Sequence, residues 1–291
     1  MTKFTPALVS IIIRTHGRPL LLLEAVDSVL SQSYKHLEII VVEDGSVDAR
    51  KVLESRYPNE DRIRFFSTGK QSGRSEAGNL GLSVAKGEWI GFLDDDDLLL
   101  PNHVEVLIGN VSESRMKVVY GLAFEVPTEF KSVSPLLYEE GGVRQVYKQA
   151  FSRPLLWVEN YLPIQSVLFH RVLYEKWGGF DTSLDQLEDW NLWVRYSLHD
   201  DFLFVPEVTS KYRVPKGLRA ALLRQRDLLD SYAEVVELHK DYKAELRVGE
   251  LHEALKILAR KHELSLFGRV RRCGASLLKR LLLATISPRR G

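Results

Sequence analysis

The sequence predicts an α/β protein: a mostly parallel central sheet with helices on both faces, followed by a C-terminal helical extension. Three observations carry that prediction. Short, wholly apolar runs at Leu8–Ile13, Leu37–Val42 and Trp89–Leu93 have the length and character of strands buried on both faces. Segments with helical spacing alternate with them. Each run ends in a polar cluster: Arg14 to Pro19, Glu43 to Ser46, and Asp94 to Asp97. Parallel sheets bind ligands beyond the carboxyl ends of their strands, so the three clusters are expected to meet at one edge.

In order, Leu8–Ile13 is the first strand and breaks at a loop holding Gly17 and Pro19. Leu22, Ala25, Val26, Val29 and Leu30 then recur at helical spacing. Leu37–Val42 is the second strand, Val47–Arg56 a helix, and Ile63–Ser67 a shorter third strand. Ser75–Ala85 is a helix whose Ala77, Gly78 and Gly81 suit close packing. Trp89–Leu93 is the fourth strand, and a helix follows Pro101 to about Asn110. Lys117–Phe124 is a further strand. Pro127–Val143, with Pro127, Pro135, Gly141 and Gly142, is read as an irregular surface excursion. Gln165–Phe169 is a short strand, Gly178 to Asp181 a turn, and Asp185–Leu198 a helix carrying Trp190 and Trp193. Phe202–Val205 and Thr209–Val214 are read as two short strands, with a boundary near Pro215 and helices beyond it.

The composition is that of a globular protein: 45% hydrophobic, 27% charged, net charge +1 over 291 residues. That balance gives no ground for a nucleic-acid partner. A single cysteine, Cys273, excludes an intrachain disulfide and fits a reducing, cytoplasmic compartment. Neither a signal peptide nor a membrane-spanning run is expected. Four adjacent acids at the end of a buried strand repel one another, so a cation is expected there. A hard divalent metal, Mg²⁺ or Mn²⁺, is the simplest candidate, because such ions prefer carboxylate oxygen. A solvated acidic turn is the plainer alternative.

Residues 8–214 resemble the family 2 glycosyltransferases of the GT-A fold. The resemblance rests on segments in the right order: Val9 to Pro19, Glu38 to Ser46, Ala77-Gly78-Asn79-Leu80-Gly81 through Asp97, Gly178 to Asp181, and Leu187-Glu188-Asp189-Trp190-Asn191-Leu192-Trp193. It implies a nucleotide-binding half over about residues 1–100 and an acceptor half over about 101–214. A helical extension at 215–266 and a basic tail at 267–291 lie outside it. It implies an inverting enzyme that moves a sugar from a nucleotide-diphosphate donor, UDP or dTDP favoured, to a saccharide acceptor, lipid-linked or belonging to a surface polysaccharide. By likeness to the family, Asp96 is the expected metal ligand. Asp94 contacts the ribose or a metal-bound water, and Asp95 and Asp97 are second choices, since four acids in a row leave the register open. Asp44 is expected on the base; an Asx turn with Gly45 and Ser46 would also explain it. Arg14, Thr15 and His16 are expected to line base and ribose. Many members have an arginine just before the asparagine matched by Asn79. Here Gly78 stands in that place, with Arg74 the candidate substitute for the cation and Asn79 either a nucleotide contact or a structural tie. The Glu188-Asp189 pair implies a catalytic base at Asp189, positioned by Glu188, although acids at a helix start are favoured by the dipole alone.

The rivals are a nucleotidyltransferase, disfavoured because the first loop holds only Gly17, and a non-catalytic sugar-binding module, disfavoured because both acid clusters are intact. Phe267 to Arg290 holds seven basic residues, no acid, and interleaved leucines, so that segment is expected to lie on a membrane surface at its inner face or on a partner, a second copy included.

Overall fold

The structure, a computed structural model, describes residues 6–45, 48–112, 114–146 and 148–260. The basic tail expected over 267–291 lies outside the described residues. The chain forms two compact units. The larger comprises Met1–Phe151 and Glu159–Ala244; the smaller comprises Ser152–Val158 and Glu245–Gly291.

In the larger unit the expected alternation appears. The order is β1 (Val9–Thr15), α1 (Pro19–Leu30), β2 (Leu37–Glu43), α2 (Asp48–Arg56), β3 (Ile63–Ser67), α3 (Arg74–Val84) and β4 (Trp89–Asp94). Then come β5 (Leu98–Leu99), α4 (His103–Val111), β6 (Val118–Val133), β7 (Leu136–Glu140) and β8 (Arg144–Val146). Helix α5 (Arg153–Leu156) belongs to the smaller unit, which also holds a helix over 248–260. The larger unit ends with a 3₁₀ turn (Ile164–Ser166), β9 (Val167–His170), α6 (Arg171–Trp177), α7 (Glu188–Ser197), β10 (Phe202–Pro215) and α8 (Leu218–His239). Helix α8, expected to begin an extension beyond Pro215, falls in the larger unit with the sheet.

The sheet runs β3-β2-β1-β4-β9-β6-β10-β5, with β7 and β8 paired to β6. Strands β1 to β4 are mutually parallel, and β9 is antiparallel to both β4 and β6. Register fixes the ligand edge. Arg14 stands opposite Asp94, and Thr15 opposite Glu43, so the three polar clusters are level with one another. The core beneath is dry: Val9, Ile11, Ile13, Val26, Val29, Ile39, Val41 and Leu93 are all buried. Helix α3 lies close to β1 because Gly81 has no side chain. A Cβ there would stand 2.4 Å from Ile12 Cγ2, a branched atom of the sheet. Gly81→Ala is therefore expected to cost about 1–3 kcal/mol by overpacking, measured by urea denaturation.

Two expectations are corrected. Pro127–Val143 is a hairpin: β6 continues to Val133 and folds back as β7, with Phe130 opposite Tyr138. Val126 and Thr128 are buried in alternation, a period of two that the prolines and glycines obscured. Phe202–Val205 and Thr209–Val214 form one strand, β10, parallel to β6 and interrupted by register shifts between Phe204 and Ser210.

Candidate active site

Four consecutive acids follow strand alternation as β4 ends, and the parity sorts them. The side chains of Asp94 and Asp96 are 28% and 29% exposed; that of Asp95 is fully buried. Asp95 accepts from Thr15 Oγ1 at 2.7 Å and is gripped by Arg18. Asp97, also buried, accepts from the Arg213 amide at 2.8 Å. Burial raises both carboxyls, Asp95 to about 7 even with Arg18 beside it, and Asp97 well above the ordinary range with Asp96 and Asp94 adding to the effect. Asp94 is opposite in sign. Burial pushes it up, but Arg14, Arg74 and Arg18 together hold it below the usual range. Asp94 and Asp96 are the partly exposed acids and line the cavity, Asp95 is an internal anchor, and Asp97 lines the cavity from a buried position. Asp95, expected on the nucleotide, and Thr15, expected on base or ribose, turn their side chains to each other instead.

Arg14, expected along the base and ribose, lines the cavity that holds Thr15, His16 and Asp44, and its guanidinium, 5% exposed, also spans two acid clusters. Nη2 and Nε donate to Asp94 Oδ1 at 2.7 and 2.9 Å, and Nη1 donates to Glu188 Oε1 at 2.7 Å. Its charge lies over the rings of Phe92 and Phe180, 5.8 and 5.5 Å from their centroids. Gly78 makes the room. A Cβ there would meet Phe180 Cε2 at 2.5 Å and Arg14 Cδ at 3.6 Å. The cation absent at Gly78 is thus present from β1. Arg74, the expected substitute, is exposed at the start of α3 and lines the cavity without an ion pair of its own among the described residues.

Asn79 is a structural tie and lines neither cavity. Its Oδ1 accepts from Phe180 N at 2.8 Å and its Nδ2 donates to Phe180 O at 3.0 Å, so the amide is spent on the turn at Gly178 to Asp181. Asp44 holds the loop before α3, accepting from Ser72 N at 2.7 Å and Gly73 N at 3.0 Å. It still lines the cavity beside His16, whose Nδ1 bonds the Asp44 carbonyl.

The second acid pair begins α7, whose N-cap Leu187 is left-handed (φ 57°). Such a conformation costs about 1–3 kcal/mol and is held only where surroundings impose it. It sets Glu188 against Arg14 and Asp189 against Asn160, whose Nδ2 lies 3.3 Å from each Asp189 oxygen. Burial, with Glu188 adjacent, raises Asp189 to about 7, the range useful to a general base. Trp190 and Trp193 are fully buried; Trp190 stacks on Tyr232 of α8. They are core and do not offer a sugar platform.

Two adjoining cavities, of about 500 and 630 Å³, share Arg14, Arg74, Asp94, Asp97, Tyr212 and Arg224. The first holds His16, Asp44 and Asp96; the second holds Asn160, Gln165, Glu188 and Asp189. Among the described residues no three His, Cys, Asp or Glu side chains converge into a complete metal cage. The residues nonetheless fit a cation shared with a ligand. Asp94 Oδ2 and Asp96 Oδ1 carry no protein partner, and Mg²⁺ takes only one or two protein carboxylates when phosphates and waters complete its shell. Arg18, 3.0 Å from Asp96 Oδ2, is the present counter-charge.

The description "Glycosyl transferase family 2" matches residues 10–174, more than half of the chain. The chain belongs to this family. This glycosyltransferase is 29% identical over 243 residues to the glycosyltransferase GlyG of Streptococcus pneumoniae, covering 79% of this chain and 78% of that one. It is 26% identical over 269 residues to the GalNAc(5)-diNAcBac-PP-undecaprenol beta-1,3-glucosyltransferase of Campylobacter jejuni, covering 89% and 81%. Among solved structures, a truncated S. aureus TarS in complex with UDP-GlcNAc aligns with TM-score 0.63 at 17% identity, over 84% of this chain and 68% of that chain. A mannosyltransferase from Pyrobaculum calidifontis in complex with GDP-Man and Mn²⁺ aligns with TM-score 0.63 at 19% identity, over 98% and 82%. These likenesses establish the GT-A fold. No helix among the described residues is long and apolar enough to cross a membrane.

Beyond the expected residues, the structure adds Arg18 and Asn160 to the glycosyltransferase site. Arg18 had a signal in the sequence: four acids need a nearby cation, and it stands in the first loop. Asn160 had none, because it meets Asp189 only through the tertiary fold.

Proposed function

We propose that this enzyme transfers a hexosyl or deoxyhexosyl group from a UDP or dTDP sugar to a saccharide acceptor, lipid-linked or belonging to a surface polysaccharide, with inversion and with Mg²⁺ or Mn²⁺. The observation that carries this reading is the Arg14 bridge, which ties a half-buried acid at the end of β4 to an acid pair at the start of α7 in the wall of one cavity. Asp94 and Asp96 would hold the cation, which when bound would supply positive charge beside the departing diphosphate. Arg74, at the N-terminus of α3, adds positive charge on the same side. Asp44, His16 and the backbone of Thr15 line the base end, and a carboxylate at Asp44 suits a base N–H.

Asp189 takes the proton of the attacking acceptor hydroxyl. Glu188 is committed to Arg14 and positions its neighbour, which leaves Asp189 to the proton and assigns neither acid of the pair to a glycosyl-enzyme bond. Attack from the face opposite the leaving group then gives inversion. The Campylobacter relative, named for a PP-undecaprenol acceptor, and the nucleotide sugars in complex with both structural neighbours support this reading.

Thermal stabilisation tests it. UDP or dTDP together with Mn²⁺ should raise Tm, by about 2–4 °C for each kcal/mol of binding linkage, and either alone should not. If no nucleoside diphosphate binds with metal, the transferase reading is wrong. Hydrolysis scored over UDP-, dTDP- and GDP-sugars then identifies the donor, and NMR of the product gives its anomeric configuration.

A further inference from the structure

Gln165 has no part in the chemistry above. It sits in the 3₁₀ turn leading into β9 and is 1% exposed. Neither its Nε2 nor its Oε1 has a hydrogen-bond partner, and both are sealed from bulk water. Yet it lines the cavity that also holds Asn160, Glu188 and Asp189. A buried amide left unpaired destabilises twice, at its donor and at its acceptor. A side chain kept only for packing would do better as methionine, which has similar length and needs no partner.

The place of the cavity says what could complete that amide. Its lining includes Arg14, Arg74 and Asp94, where the donor diphosphate is proposed, and Asp189, where the hydroxyl attacks. The sugar bonded to the β-phosphate has to lie in that space, and Gln165 stands in its wall. A carboxamide offers one donating and one accepting end. A sugar hydroxyl both donates and accepts, so two neighbouring hydroxyls satisfy the amide in either orientation. The chain around it is well fixed. Asn160 Oδ1 accepts from Leu162 N at 3.2 Å, its Nδ2 reaches Asp189, and Ser166 Oγ closes the turn on Pro163 O at 2.6 Å. One short segment thus steadies the base and carries the unpaired amide.

We infer that Gln165 is a specificity-determining residue whose carboxamide, closed off in the ligand-free chain, opens on donor binding to hydrogen-bond a vicinal hydroxyl pair on the transferred sugar. The inference rests on the proposed glycosyl transfer. It implies selection against donors deoxygenated at either of those positions, because half of the amide would stay unpaired in the complex.

Calorimetric titration of the full chain with Mn²⁺ and either UDP, UDP-glucose, UDP-galactose or UDP-N-acetylglucosamine tests it. In Gln165→Met, Kd for the best-bound UDP-sugar should rise about tenfold to a hundredfold, as for two lost hydrogen bonds. Kd for UDP should not move, and Tm without ligand should hold or rise. Gln165→Asn, which keeps the amide but withdraws it by one methylene, should lose sugar affinity in the same way and covers the case of a poorly folding methionine variant. Equal losses for UDP and UDP-sugar, or no loss for either, would overturn the inference. Failure of the unaltered chain to bind any nucleoside diphosphate, UDP or dTDP, with Mn²⁺ would instead overturn the transferase reading beneath it.

Discussion

Asp189→Asn should lower the transfer rate by about 10²–10⁴-fold while the Kd for nucleotide with Mn²⁺ stays where it was. The amide keeps the shape of the carboxyl and can still meet Asn160 and the Trp190 N–H, but it cannot accept a proton. Binding should be spared because the donor's charged end is proposed at Asp94 and Asp96, and Asp189 does not line the cavity that holds Asp96. The variant should also fold well, since burial already opposes ionisation of Asp189. The pH profile follows with its sign. A carboxyl raised to about 7 is protonated below that pH, so kcat/KM should fall tenfold per unit on the acid side of about 7. An acid limb near the ordinary carboxylate range would remove Asp189 as the base. Loss of nucleotide binding in the variant, with transfer retained, would reverse the two roles.

Arg14→Met should combine the largest stability loss with loss of transfer. It leaves Glu188 buried and unpaired and strips Asp94 of its main counter-charge, a defect worth about 3–5 kcal/mol. Arg14→Lys should fall well short of rescue, because an ammonium cannot fork across Asp94 and Glu188 at once. A double variant separates stability from function. Arg14→Met with Glu188→Leu removes both buried charges, so urea denaturation should show it more stable than the sum of the two single changes. It should remain inactive, because nothing then holds the start of α7 in place. Additive stabilities would show that the two side chains do not depend on each other.

The strands were legible because runs such as Val9–Ile13 and Leu37–Val42 are apolar without interruption, and only a sheet covered on both faces needs that. The convergence of Arg14, Asp44 and Asp94 followed from strand ends alone. The hairpin at β6 and β7 was hidden because Pro127, Pro135 and Gly141 are the residues that usually break strands, although Val126 and Thr128 kept the alternation. Which of the four acids face outward is also a matter of parity, and it needs the end of β4 to be known to the residue. The second partner of Arg14 was hidden for another reason. A charged residue at a strand end suggests solvent, and nothing local says that Glu188 lies within 2.7 Å. Asn79 and Asn160 are alike in this: an amide gives no sign of its partner until the fold supplies one.

That long reach has a consequence for synthesis. Arg14 leaves the ribosome among the first residues, and Glu188 follows 174 positions later. At about 5–20 residues per second, a growing chain spends on the order of 10 s with one half of the guanidinium's partners still unmade. The edge formed by β1, β2 and β4 can assemble early, but the start of α7 cannot be seated against Arg14 until those 174 further residues have been made.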